Sequence, residues 1–300
     1  MLTIFSVPRE FAGEVGICQH NAIASWVRLP GCEVILFGDD PGVAEAAALH
    51  RARHVAKVER NSFGTPILAD VFAKAETLAN CPMLCFVNAD VILFNDLLTA
   101  LRVVSVKRER FLMVASRFNC RISSALSLGD EWDRELRARA VREGRVYRGG
   151  GSDIFLYRRG LFDSIPPFAV GRGYWDNWLM LRARQRGATL IDVTDTVISV
   201  HQDHNYSHVV GVSPESSGHE LAYMVSEEAE RNFSLAGGHR CLYTIYDATE
   251  ILTPGGRLLS TRRPGLVWRP AKAWLRRTLV PLIAALTYCD HARGGAQPNV

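Results

Sequence analysis

Three short stretches carry side chains able to handle protons and cations. The first is Asn88-Ala89-Asp90, which closes the apolar run Met83–Val87. A carboxylate there can bind a hard divalent cation, because Mg²⁺ and Mn²⁺ prefer oxygen ligands. The second is Trp175-Asp176-Asn177-Trp178, at the opening of a helical pattern. Asp176 can take a proton from an attacking hydroxyl or only cap its helix, and its spacing leaves both readings open. In either role its pKa should stay low, since the N-terminal end of a helix favours the anion. The third is Val200-His201-Gln202-Asp203-His204, running on to His208. Imidazole suits Mn²⁺ better than Mg²⁺, and these spacings would also align the three histidines on one helix face. No His-Glu-X-X-His arrangement accompanies them, which argues against zinc hydrolase chemistry. An incidental polar turn is the plain alternative.

The intervening sequence alternates apolar runs with helical patterns. Leu2–Phe5, Glu33–Phe37, His54–Val58 and Met83–Val87 read as strands, separated by an Ala-rich helix at Pro41–Arg53 and an amphipathic helix at Pro66–Asn80. Phe111–Ala115, Asp153–Tyr157 and Thr189–Val193 continue the strands, with helices at Gly129–Glu143 and Tyr174–Arg186. This β-α-β rhythm predicts a mainly parallel, doubly wound α/β sheet with helices on both faces. Ligands of such sheets lie beyond the carboxyl ends of the strands. The residues that follow the strands therefore matter most: Ser6-Val7-Pro8-Arg9, Gly38-Asp39-Asp40 and Asn88-Ala89-Asp90.

With 48% hydrophobic and 22% charged residues among 300, the chain has a globular make-up. No apolar stretch reaches the roughly 18–20 residues of a membrane span, so a cytoplasmic protein is expected. Seven scattered cysteines (Cys18, Cys32, Cys81, Cys85, Cys120, Cys241 and Cys289) read as buried free thiols. Net charge is +4, but residues 251–300 hold eight Lys or Arg against one Asp, so the basic excess belongs to a tail. That distribution argues against a nucleic-acid binder. Two units are expected, 1–250 and a basic amphipathic extension over 251–300. In the extension, Arg262, Arg263, Arg269, Lys272, Arg276 and Arg277 interleave with Trp268, Trp274 and Leu275. It suits contact with an anionic membrane surface or packing back on the core.

Over roughly residues 1–210 the sequence resembles the glycosyltransferase-A superfamily, most closely its inverting family-2 type. Cys85-Phe86-Val87-Asn88-Ala89-Asp90 is similar to the strand that ends in that family's Asp-X-Asp motif, with Asn88 in place of the first acid. Gly151-Ser152-Asp153 to Arg159, then Pro167-Phe168, Trp175-Asp176-Asn177-Trp178, Arg182 and Gly187 are similar to its acceptor-side strand, loop and acidic helix start. The resemblance implies transfer from a nucleoside diphosphate sugar to a hydroxyl acceptor on a glycan or lipid-linked glycan. Asp176 would be the base. Asp90, with His201 or His204, would hold Mn²⁺ or Mg²⁺, and Asn88 would make that metal weak or dispensable. Ser6, Val7, Pro8, Arg9 and Asp39 would contact the nucleotide, and Asp70 and Lys74 the ribose and phosphate. Ala89, Gly150, Gly151 and Asp153 would border the donor sugar, while Trp175 and Trp178 would offer aromatic faces to the acceptor.

Two other readings remain open. A retaining enzyme of the same fold would use Asp176 to orient substrate, and a non-catalytic sugar-nucleotide-binding protein is compatible with Asn88. A sugar-1-phosphate nucleotidyltransferase fits less well, since Ser6–Phe11 is not the Gly-, Arg- and Lys-bearing loop such enzymes place after their first strand.

Overall fold

The computed structural model describes residues 2–122, 124–147, 151–203, 226–238 and 243–261. His204, His208 and Gly150 lie outside the described residues, as do residues 262–300 of the basic tail. Among the described residues no helix is long and apolar enough to cross a membrane.

Nine strands form the main sheet, in the order β13-β12-β10-β6-β9-β4-β1-β2-β3. They are β1 (Leu2–Ser6), β2 (Cys32–Phe37), β3 (Arg53–Val55), β4 (Met83–Val87), β6 (Phe111–Val114), β9 (Ile154–Arg158), β10 (Thr189–Asp192), β12 (Glu250–Leu252) and β13 (Leu258–Ser260). Neighbours pair in parallel except where β9 runs against β4 and β6, and where β13 turns back on β12. β1 and β4 are buried along their whole length, so their apolar runs are continuous rather than alternating. Successive side chains still point to opposite faces: Ile4, Cys85 and Leu156 enter one core, and Phe5, Phe86 and Phe155 the other.

Helices cover both faces: α1 (Gly13–Trp26), α2 (Val43–His50), α3 (Leu68–Leu78), α4 (Asp96–Lys107), α5 (Trp132–Glu143), α6 (Trp175–Gln185) and α7 (Glu227–Leu235). A second, four-stranded sheet joins β5 (Val91–Ile92), β11 (Val200–Gln202), β7 (Phe118–Cys120) and β8 (Arg145–Val146) in the order β5-β11-β7-β8. β12 begins at Glu250 and β13 carries the main sheet to Ser260, across the boundary expected at 250/251.

The turn between β2 and α2 is tied to the segment after β1. Phe11 N–H donates to the Pro41 carbonyl at 2.9 Å, and Gly42 sits at φ 86° with the place of its absent Cβ 2.7 Å from Phe11 Cβ. Gly42→Ala is expected to lower stability by about 1–3 kcal/mol through this overlap and the left-handed backbone, read as a lower urea midpoint.

Candidate active site

The carboxyl ends of β1 and β4 open into a cleft of about 420 Å³. Ser6 Oγ donates to the Val87 carbonyl at 2.6 Å and so ties the two strand ends together. Ser6, Val7, Pro8 and Arg9 line the cleft, and the Gln19 amide holds the Arg9 backbone at both its N–H and its carbonyl, each at 2.9 Å.

Asp90 and His201 meet here although they are far apart in sequence. Antiparallel pairing of β5 with β11 sets His201 opposite Val91 and leaves His201 Nε2 3.4 Å from Asp90 Oδ2. Because His201 belongs to a strand, the alternative that put it on one helix face with His204 and His208 does not hold. Burial acts on the imidazole to lower its pKa, but Asp90 and Asp203 together outweigh it and carry the group up to about 9. Gln202 is fully buried. Its amide donates to the Asp90 carbonyl at 3.0 Å and the Cys18 carbonyl at 2.7 Å, and accepts from Asn21 at 2.9 Å. Gln202→Leu would strand these groups and is expected to destabilise the fold by about 1–3 kcal/mol, measured by urea unfolding.

Asn88 has a structural reason to be an amide. Its Nδ2 donates to Asp153 Oδ1 at 2.8 Å, where a second carboxylate would meet the first at the same distance. Asp153 also pairs with Arg117 at 2.7 Å, both side chains nearly buried. The Arg117 guanidinium is held further by Asn119 at 2.9 Å and lies over the Tyr147 ring, 4.3 Å from its centroid. Arg117 and Tyr147 line the cleft and were not singled out from the sequence. Arg117 follows the strand Phe111–Val114, so the same strand-end rule that selects Asp90 would have found it.

Asp176 lies in the first turn of α6, after Tyr174 in a left-handed conformation at φ 79°. It is partly buried and lines the cleft. A Cβ on Gly151 would stand 3.0 Å from Asp176 Oδ2, so the glycine leaves the approach to the carboxyl open. The low pKa expected for this group is corrected. Burial raises it to about 6, and the Asp153 charge adds to the rise. The backbone N–H of Asn177, its own N–H and Arg117 oppose it without cancelling it.

Other expected contacts are rearranged. Asp39 is exposed and accepts from Arg60 at 2.6 Å, while Asp40 accepts from the same guanidinium and is the one that lines the cleft. Asp70 and Lys74 pair with each other at 2.6 Å and fasten residues 57–59 to α3; neither lines the cleft. Trp178 packs edge-on against Phe168 and is likewise absent from the lining. Trp175 does border the cleft but is nearly buried, with Phe86 and Phe155 against its ring, so core packing accounts for both tryptophans. Ala89, Asn88, Gly151 and Asp153 line the cleft.

Among the described residues no group of three or more His, Cys, Asp or Glu encloses a cation site. Asp90 and His201 form a two-ligand set, one oxygen and one nitrogen, of a kind that suits Mn²⁺ when phosphate oxygens and water complete the shell.

No family model and no curated protein matches the chain. Among solved structures it is similar to GalNAc-T7 with UDP, GalNAc and Mn²⁺, at 14% identity and a TM-score of 0.50, over 79% of this chain and 48% of that one. Glucosyl-3-phosphoglycerate synthase of M. tuberculosis follows at 16% identity and a TM-score of 0.47, over 79% and 81%. TarS 1–349 of S. aureus, in complex with UDP-GlcNAc, shares 12% at a TM-score of 0.44, over 79% and 70%. Taken with the sheet order and the cleft at its parallel strand ends, the likeness shows that this chain has the glycosyltransferase-A fold.

Proposed function

We propose that the chain transfers a sugar from a nucleoside diphosphate sugar to a hydroxyl acceptor on a glycan or lipid-linked glycan, by a single displacement with inversion. The observation that carries this reading is the meeting of the Asp90–His201 pair and the Asp176 carboxyl in one cleft. GalNAc-T7 was solved with UDP, GalNAc and Mn²⁺, and ligands of those classes suit the residues gathered here.

Asp176 accepts the acceptor hydroxyl proton as that oxygen attacks the anomeric carbon. With a pKa of about 6 it is anionic at pH 7 yet more basic than an ordinary aspartate, which favours proton abstraction near neutrality. Gly151 gives the donor sugar room beside it, and Arg9 with the Ser6–Pro8 backbone borders the nucleotide. Bound at Asp90 and His201, a divalent cation would offset the charge that grows on the departing diphosphate.

A second reading, transfer without metal, is favoured by Asn88, an amide where the motif it resembles carries its first acid. Asn88 already spends its amide on Asp153.

The test is thermal shift with a panel of nucleoside diphosphates, each with Mn²⁺, Mg²⁺ or chelator. A ligand specific to the native state stabilises by about 2.7 kcal/mol at a hundredfold excess over its dissociation constant. In Asp90→Ala the metal-dependent part of the shift should vanish. An equal shift under chelator supports the second reading, and no shift with any nucleotide in folded protein removes the basis of both. Product anomeric configuration then distinguishes inversion from retention. Peripheral membrane contact through the tail remains part of the proposal; co-sedimentation with anionic liposomes should be lost when residues 262–300 are deleted.

A further inference from the structure

A second cavity, of about 210 Å³, is lined by Arg110, Arg158, Arg159 and Arg186, with Glu109 as the only carboxylate in its wall among the described residues. It stands at the far end of β9 from the proposed active site. Asp153 precedes that strand in the cleft and Arg158 ends it, about 17 Å away for five extended residues.

Topology explains the crowding. β6 and β9 are antiparallel, with Leu112 opposite Tyr157, so Arg110 before β6 and Arg158 at the end of β9 reach the same edge. The end of α6 adds Arg186. Backbone carbonyls take most of the hydrogen bonds: Arg158 donates to Glu109 at 3.2 Å, Arg159 to Ala79 and Cys81, and Arg110 to Arg186 at 3.5 Å. Carbonyl dipoles do not cancel a full charge.

The carboxylates nearby are fewer than the guanidiniums. Asp163 is shared by Arg186 at 2.8 Å and Arg182 at 3.4 Å. Glu76 accepts from the Gly160 N–H at 3.1 Å and feels the charge of Arg159. With Glu109, three acids face five arginines. Like charges gathered at one rim repel, and an anion with several acceptor oxygens relieves that repulsion while meeting the fork of N–H donors on each guanidinium.

We propose that this cavity binds a phosphate group, carried by a soluble phosphate or by a lipid headgroup. The assignment does not depend on the reaction performed at the other end of the sheet.

Calorimetric titration of the full chain with inorganic phosphate at constant ionic strength tests it, alongside flotation with phosphatidylcholine vesicles that contain or lack phosphatidic acid. The variants are Arg110→Ser, whose side chain has only the long contact to Arg186, and Arg158→Ser. The control Arg142→Ser removes an equal charge from an exposed position on α5. Saturable binding is expected, weakened about tenfold or more by Arg110→Ser and unchanged in Arg142→Ser, while nucleotide shifts at the cleft persist. A part of the binding to phosphatidic acid vesicles that the same variants remove, over and above what residues 262–300 contribute, assigns the lipid source. The proposal is overturned if inorganic phosphate does not bind saturably and the variants leave vesicle binding unchanged. It also falls if binding survives both Arg110→Ser and Arg158→Ser, or if Arg142→Ser weakens it equally.

Discussion

Asp176→Asn should lower the turnover rate by about 10²–10⁴-fold, the contribution of a positioned general base, and at the same time make the protein more stable at pH 8. The two effects share one cause. The carboxyl titrates at about 6 in the fold and near 3.9 in the unfolded chain. Its folded pKa is raised, so its contribution to stability is fully present below about pH 4 and is lost as pH rises through 6. The shift corresponds to roughly 3 kcal/mol at most. Water in the cleft screens part of it, so the amide should gain roughly 1–3 kcal/mol at pH 8. Urea unfolding of both proteins from pH 4 to 8 reads the result: curves that coincide at pH 4 and separate through 6. As the proposed base, the same group should set an acid limb near pH 6 in the wild-type rate, which the variant should lack. Unchanged turnover in Asp176→Asn would remove the assigned base.

Arg117→Met should act in the opposite direction on stability. The guanidinium faces an Asp153 side chain that is 7% exposed, and removing it leaves a buried carboxylate held only by Asn88. Breaking a buried ion pair costs about 3–5 kcal/mol, and the low end, about 3 kcal/mol, applies where a cleft admits some water. Arg117→Met/Asp153→Asn should recover most of the loss, since both charges are then gone. Urea midpoints of the two single variants and the double variant give the coupling directly. Arg117→Lys retains a charge but not the planar fork that spans Asp153 and Asn119, so it should restore only part of the stability.

The parallel strands were legible because they are buried on both faces and read as unbroken apolar runs: Met83–Val87 matches β4 residue for residue, and Phe111–Ala115 overruns β6 by one. α1 was not legible. Its inward positions include Gln19, Asn21 and Ser25, polar residues that are buried only because each binds a backbone group, and these interrupt the apolar period. α4 does carry such a period, Leu97, Leu101 and Val104, though the strand-helix alternation read above leaves it unassigned. The reversed direction of β9 has no local signature, because pairing partners are chosen by tertiary contacts.

At the site, the strand-end rule located the Asn88–Asp90 corner and the Ser6–Arg9 edge. It was weaker where side chains turn aside: Asp39, Asp70 and Lys74 each satisfy themselves on a neighbour at about 2.6 Å. The raised pKa of Asp176 could not be read either, since the helix start argues for a low value and only the surrounding packing reverses it.

The reversed central strand also bears on how the molecule comes together. β4, β1, β2 and β3 lie within the first 87 residues and pair among themselves, so they can associate early during synthesis. The open edge of β4 must then wait for β9, some seventy residues later, while β6 finds both its neighbours, β9 and β10, still further along the chain. Such an unpaired apolar edge is a hazard for association with other chains until it is covered. Arrival of β9 seals it, joins the two halves of the sheet and carries Asp153 to Asn88 in the same event. The cleft therefore exists only in a chain that has finished folding, and a stalled intermediate would keep Asp90 without its partners.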